Sequence, residues 1–162
     1  MQTPSNLFQK DTLTPKLQKM INECKEKYDA DVGIMGQEAS RKDGTLTNAQ
    51  IGRMHEEGSI ANGITPRSWL RMPILRKKNE IIKAGILAIK KNLVNGVLNL
   101  KKATANMAGT ALNASTEAFL TRGFGSWKPL SKATIEAKKG NEEPLIDTRQ
   151  LIRSRTFRIN KK

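Results

Sequence analysis

Apolar residues in this chain recur at helical spacing over several stretches and alternate near its end. Leu17, Met20, Ile21 and Cys24 lie three or four apart behind Thr14-Pro15, a capping residue and a good first helical residue. They predict a short amphipathic helix to about Tyr28. Asp31 to Gly36, β-branched and apolar between glycines, predicts a strand, and Gln37 to Leu46, with Asp43-Gly44, predicts a hairpin or loop tip. Thr47 or Asn48 caps the next helix, where Ile51 and Met54 share a face before Gly58 ends it.

Gly58 to Met72 is irregular, with turns forced at Asn62-Gly63 and Thr65-Pro66, and its apolar members Ile60, Ile64, Trp69 and Leu70 suggest a pinned loop. From Pro73 to about Lys102 the pattern is helical. Ile82, Ile86, Ile89, Leu93, Val97 and Leu100 form one stripe, with Lys83, Lys90, Lys91, Lys101 and Lys102 on the other side. Gly85 and Gly96 each weaken that helix by roughly 1 kcal/mol relative to Ala, and suit a bend, a close approach or a break. Ala103 to Leu120, rich in Ala, Thr, Asn and Ser, reads as a weak helical continuation or as part of a mobile arm over about 103–127, with Gly123-Phe124-Gly125 as a joint.

Ser131 caps a helix of one or two turns that stops at Gly140, and Asp147 or Thr148 caps a single turn carrying Leu151 and Ile152. Arg155 to Asn160 alternates, with Phe157 and Ile159 on one face, which is strand periodicity. Helices therefore flank a few short strands without βαβ repetition. The expected fold is a single α+β domain over 1–162, a short antiparallel sheet packed against helices with one long amphipathic helix.

Charge changes this picture. Residues 1–57 carry 8 Lys/Arg against 9 Asp/Glu, whereas residues 58–162 carry 21 against 6, so the net +14 belongs to the later part of the chain. A field of that kind suits nucleic acid, an acidic protein surface or an anionic membrane, and the alternative is a set of solvated lysines. No stretch approaches the roughly 18 apolar residues of a membrane span, and the polar start lacks the apolar run of a signal peptide. The single Cys24 excludes an internal disulfide and fits a reducing compartment. The expectation is a soluble protein made in a cytoplasm.

The chemistry of catalysis is thin. His55 is the one histidine, and nothing places Cys24 or a serine beside it; its ordinary role is a polar anchor at a helix end. His55-Glu56-Glu57 lacks His-Glu-x-x-His spacing, the glycines lack phosphate-loop spacing, and Glu56-Glu57 and Glu142-Glu143 read as helix-end and loop solvation. The expectation is no enzyme, no metal and no cofactor. Ten Lys/Arg against Glu80 alone between Arg67 and Lys102 suit contact with phosphates that does not read sequence, although few aromatics interleave with them for stacking. Trp69 and Trp127 read as core plugs or as interface anchors.

Two stretches carry the strongest signal: His55-Glu56-Glu57-Gly58 followed by Ile64-Thr65-Pro66-Arg67-Ser68-Trp69-Leu70-Arg71, and Trp127-Lys128-Pro129-Leu130-Ser131 followed by Pro144-Leu145-Ile146-Asp147-Thr148-Arg149-Gln150-Leu151. In that order, over roughly residues 47–160, the chain resembles the minor tail, tail-completion and virion-morphogenesis proteins of tailed bacteriophages. Glu57 stands where relatives usually carry an aromatic, and Arg149 where they carry the Gly after Asp-Thr. The resemblance implies a structural protein of the virion neck, made in the host cytoplasm, that completes or caps the tail and joins it to the head. It further implies a homo-oligomeric ring, most often a hexamer, with neck or connector and tail-tube proteins as partners and genomic DNA passing the lumen. The candidate interface residues are Arg67, Trp69, Arg71, Lys83, Lys90, Lys91, Trp127, Arg149 and Arg153. The alternative function is a basic, sequence-independent DNA-binding accessory protein.

Overall fold

A computed structural model describes residues 15–40, 46–146 and 149–162. The expected features at Thr14, at Asp43-Gly44 and at Asp147-Thr148 lie outside the described residues. Helix α1 (Pro15–Lys25) leads into strand β1 (Tyr28–Gly33) and a 3-10 turn (Gly36–Ala39). Then come α2 (Asn48–Glu57), α3 (Arg71–Arg76), α4 (Lys78–Val94), α5 (Leu100–Leu120), α6 (Lys132–Ala137), α7 (Gln150–Arg153) and β2 (Thr156–Lys161). The fold is α+β, as expected, with α5 the longest helix at 21 residues.

The sheet closes the chain on itself. β1 pairs antiparallel with β2, from Tyr28 opposite Lys161 to Gly33 opposite Thr156. Side chains secure the pairing toward its Tyr28–Lys161 end: Lys162 bonds Asp29 at 2.8 Å, Lys161 bonds Glu26 at 2.6 Å, and Asn160 donates to Asp31 at 2.9 Å. The first strand lies about three residues earlier than the expected Asp31–Gly36, because pairing with β2, rather than local pattern, sets its bounds. Both strands lie against α5, as do α3 and α4.

The long helix expected from Pro73 to Lys102 is instead three pieces. α3 and α4 meet at Lys77, and α4 ends in a left-handed Gly96 (φ 63) whose neighbour Val97 donates back to the Asn92 carbonyl, a Schellman closure. The Ile/Leu stripe also differs from expectation. Ile81 and Gly85 are the buried positions of α4, while Ile82, Ile86 and Leu93 stay 40–47% exposed. The cause is Gly85, where a Cβ would lie 2.6 Å from Met107 Sδ of α5, so the helices meet along that edge and the stripe straddles it.

The stretch 103–127, expected as a weak helix or arm, is the centre of the molecule. Ala103, Ala108, Ala111, Ala114, Ser115, Ala118 and Phe119 of α5 are all buried. Small side chains add little burial apiece, but they let four neighbouring elements approach one helix. At its C-terminal end Trp69, Phe119, Trp127 and Leu151 form the core, with ring centroids 5.8 Å apart for Trp69–Phe119 and 6.0 Å for the edge-on Phe119–Trp127 pair. Trp69 reaches the core over Gly52. Its Nε1 donates to the Gly52 carbonyl at 2.8 Å, and a Cβ there would stand 3.0 Å from the indole.

Arg155 fastens the other side of α5. Its guanidinium donates to the Leu112 carbonyl, to Ser115 Oγ at 2.8 Å and to Thr116 Oγ1 at 3.0 Å, and lies 5.0 Å from the Phe119 ring centroid. Burial lowers its pKa to about 10. Among the described residues no helix is long and apolar enough to cross a membrane.

Candidate functional site

Thr47 opens α2 with a capping box: its hydroxyl accepts from the Gln50 N–H, and the Gln50 side chain accepts from the Thr47 N–H. The helix therefore ends with His55 and Glu56 at a fixed place. Glu56 then organises the irregular segment that follows. Its carboxylate accepts from Ser68 Oγ (2.5 Å) and from the N–H groups of Trp69 (2.7 Å), Leu70 (2.9 Å) and Arg71 (3.0 Å). These are donors at the start of α3 that no helical carbonyl can satisfy. The Arg67 N–H donates to the His55 carbonyl at 2.6 Å, and a bridge between Ser59 and Ile64 closes the loop.

The second stretch is shaped by turns. After α5 the chain turns through Gly123 (φ 66), where a Cβ would overlap the Trp127 indole, so this glycine admits Trp127 to the core. Ser131 caps α6 through the Thr134 N–H, and Lys138 Nζ then donates to the carbonyls of Glu143 and Ile146. Asn141 Nδ2 also donates to the Ile146 carbonyl, and Arg122 pairs with Glu143 at 2.8 Å. Residues 143–146 are thereby held as a wall, with Pro144 fully buried. Arg149 precedes α7 in the left-handed region (φ 61, ψ 11).

Both stretches line one cleft of about 560 Å³. His55, Ile64, Thr65 and Arg67 come from the first, Lys128 to Ser131, Leu145, Arg149 and Leu151 from the second, and Ile51 of α2 adds to the wall. Arg67 joins them: it is only 8% exposed, and its Nη2 donates to the Lys128 carbonyl at 3.1 Å. Its Nε and the His55 Nδ1 are buried with no hydrogen-bond partner. Burial, and then the Arg67 charge, hold the imidazole below the usual histidine range, and burial lowers the Arg67 pKa as well. Among the described residues no acidic side chain lines the cleft.

No protein-family model, curated protein or solved structure matches this chain. The site is therefore read from its own geometry. Of the nine candidate interface residues, Arg67 and Arg149 line the cleft. Trp69 and Trp127 do not present a surface: at 4% and 8% exposure they are core residues outside the cleft lining, because Gly52 and Gly123 let their rings in. Arg71 and Arg153 are exposed on α3 and α7, outside its lining. Lys83, Lys90 and Lys91 project from α4, on a separate surface where Ile82, Ile86, Leu87, Leu93 and Val94 are also exposed. The sequence reading missed Lys128 and Lys138 as cleft residues and took Glu56 for solvation. A carboxylate that accepts from backbone 13 to 15 positions away leaves no periodic trace. Among the described residues no group of three or more His, Cys, Asp or Glu is placed to hold a metal.

Proposed function

We propose that this chain is a structural virion protein of the tailed-phage head-to-tail region, completing or capping the tail and joining it to the head. The observation that carries the reading is convergence: the two stretches behind the phage resemblance, about 60 positions apart, line one cleft that is basic, partly apolar and open. A joining protein needs such a receptor and needs no turnover. Subunits would form a ring about the tail axis, most often sixfold, with neck and tail-tube proteins as neighbours.

The exposed side chains of α4 support this reading in a second way. Exposed Ile82, Ile86, Leu87, Leu93 and Val94 interleave with exposed Lys83, Lys90 and Lys91, and apolar surface of that kind marks contact with protein. The exposed lysines also favour the alternative, a sequence-independent DNA-binding accessory protein, but phosphate contact makes no use of five aliphatic side chains. The test is assembly with Lys83, Lys90 and Lys91 all changed to Glu. Joined particles should be lost while the melting temperature of the subunit is unchanged; normal particle yield would overturn the reading.

A further inference from the structure

Among the described residues, the cleft holds a charge that no acidic side chain of its lining balances. Arg67 is more than nine-tenths buried, yet its guanidinium makes one protein hydrogen bond among the described residues, to the Lys128 carbonyl, and its Nε faces no acceptor. Three carboxylates of the described residues have partners elsewhere. Glu56 accepts from Ser68 and the start of α3, Glu57 pairs with Arg53, and Glu143 pairs with Arg122. Lys128, Lys138 and Arg149 add further positive charge to the lining. A buried cation without an anion costs several kcal/mol, and natural folds keep one where a ligand supplies the counter-charge.

The shape of the cleft selects the ligand. At about 560 Å³ it lies within the roughly 300–1,000 Å³ range of sites that enclose small groups. Ile51, Ile64, Leu130, Leu145 and Leu151 give it apolar walls around the guanidinium. A stiff duplex cannot fold a phosphate into such a recess, whereas an Asp or Glu on a protein loop can enter with its apolar neighbours against the walls. A guanidinium fork matches a carboxylate with two parallel N–H···O bonds.

We propose that this cleft receives the carboxylate of an acidic segment on a partner protein, with Arg67 as the fork that binds it and His55 in the wall beside it. This deepens the assembly reading and rests on it for the partner being a protein. Joining would then proceed by neutralising a charge that each free subunit leaves open. His55 contributes a second donor whenever the incoming carboxylate stabilises the protonated imidazole.

His55 is the one histidine in the chain, so its imidazole resonances report on this cleft alone. The experiment is an NMR titration of the full chain with sodium acetate, with acetamide as the neutral isostere and inorganic phosphate as the competing anion. Acetate should shift the His55 resonances saturably and raise the titration midpoint of the imidazole, and acetamide should do neither. Arg67→Lys, which keeps the charge and loses the fork, should weaken acetate about tenfold. The absence of a saturable acetate shift, an equal response to acetamide, or phosphate binding more tightly than acetate would each overturn the proposal. Because the titration uses the isolated chain, its failure leaves the virion reading standing, while absence of the chain from virions leaves the titration result untouched.

Discussion

The Arg67 guanidinium donates to the Lys128 carbonyl at 3.1 Å, linking positions 61 residues apart. The bond joins the loop after α2 to the loop before α6, and among the described residues it is the one hydrogen bond of the guanidinium, whose buried Nε has no partner. Arg67→Met should therefore fold with a stability within about 1 kcal/mol of the parent, since losing one hydrogen bond is offset by removing an unbalanced buried charge. Chemical denaturation checks this. A loss above about 3 kcal/mol would make Arg67 a structural residue and remove it from the binding site.

Glu56 and Glu57 are neighbours with opposite importance. Glu56→Ala strips four donors of their acceptor and should cost about 3 kcal/mol, with loss of the Trp69 near-UV signal as the start of α3 loosens. Glu57→Ala removes only a surface pair with Arg53 and should leave the melting curve unchanged. Equal effects from the two substitutions would contradict the clamp assigned to Glu56.

Arg149 sits at φ 61, where a side chain is strained and glycine is at ease. Arg149→Gly should stabilise the chain by up to about 1 kcal/mol, the left-handed cost being only partly offset by the entropy that glycine gains on unfolding. Thermal melting of the two proteins decides the sign.

His55 should make stability fall in mild acid. Its folded pKa lies below the ordinary value of 6.5, so as pH drops through about 6.5 the unfolded chain takes up the proton first. The contribution is complete above that pH and is lost progressively down to the folded pKa. Arg67, the charged group that acts on it, does not titrate in this window, and the depressed carboxylates of Asp29 and Glu143 titrate lower. His55→Gln should flatten stability between pH 6.5 and the folded midpoint, as read by urea titration across pH; an unchanged slope would place its cause elsewhere.

Local signals were legible where one residue acts on its own turn. The Thr47 cap, the end of α2 at Gly58, the Ser131 cap and a strand near Arg155–Asn160 are in the structure, the strand as Thr156–Lys161, but its exposure does not alternate, with Phe157 exposed and Ile159 half-buried. The helix at 82–93 was legible, but its buried face was not, because that face depends on Gly85 admitting Met107 from another helix. Ala103–Leu120 looked weak for a related reason: an alanine-rich helix has little apolar moment of its own, and its central place comes from how closely its neighbours approach. The cleft was visible only as two separated motifs. Glu56, Arg155 and Lys138 work through bonds to distant backbone or side-chain atoms, and composition carries no record of those partners.

The most direct measurement is a reconstruction of the neck of virions produced by the genome that encodes this chain. It should show copies of this fold in a ring about the tail axis, each cleft filled by a segment of a neighbouring protein whose Asp or Glu meets Arg67. A neck that lacks this fold, or a ring in which every cleft opens onto solvent, would contradict it.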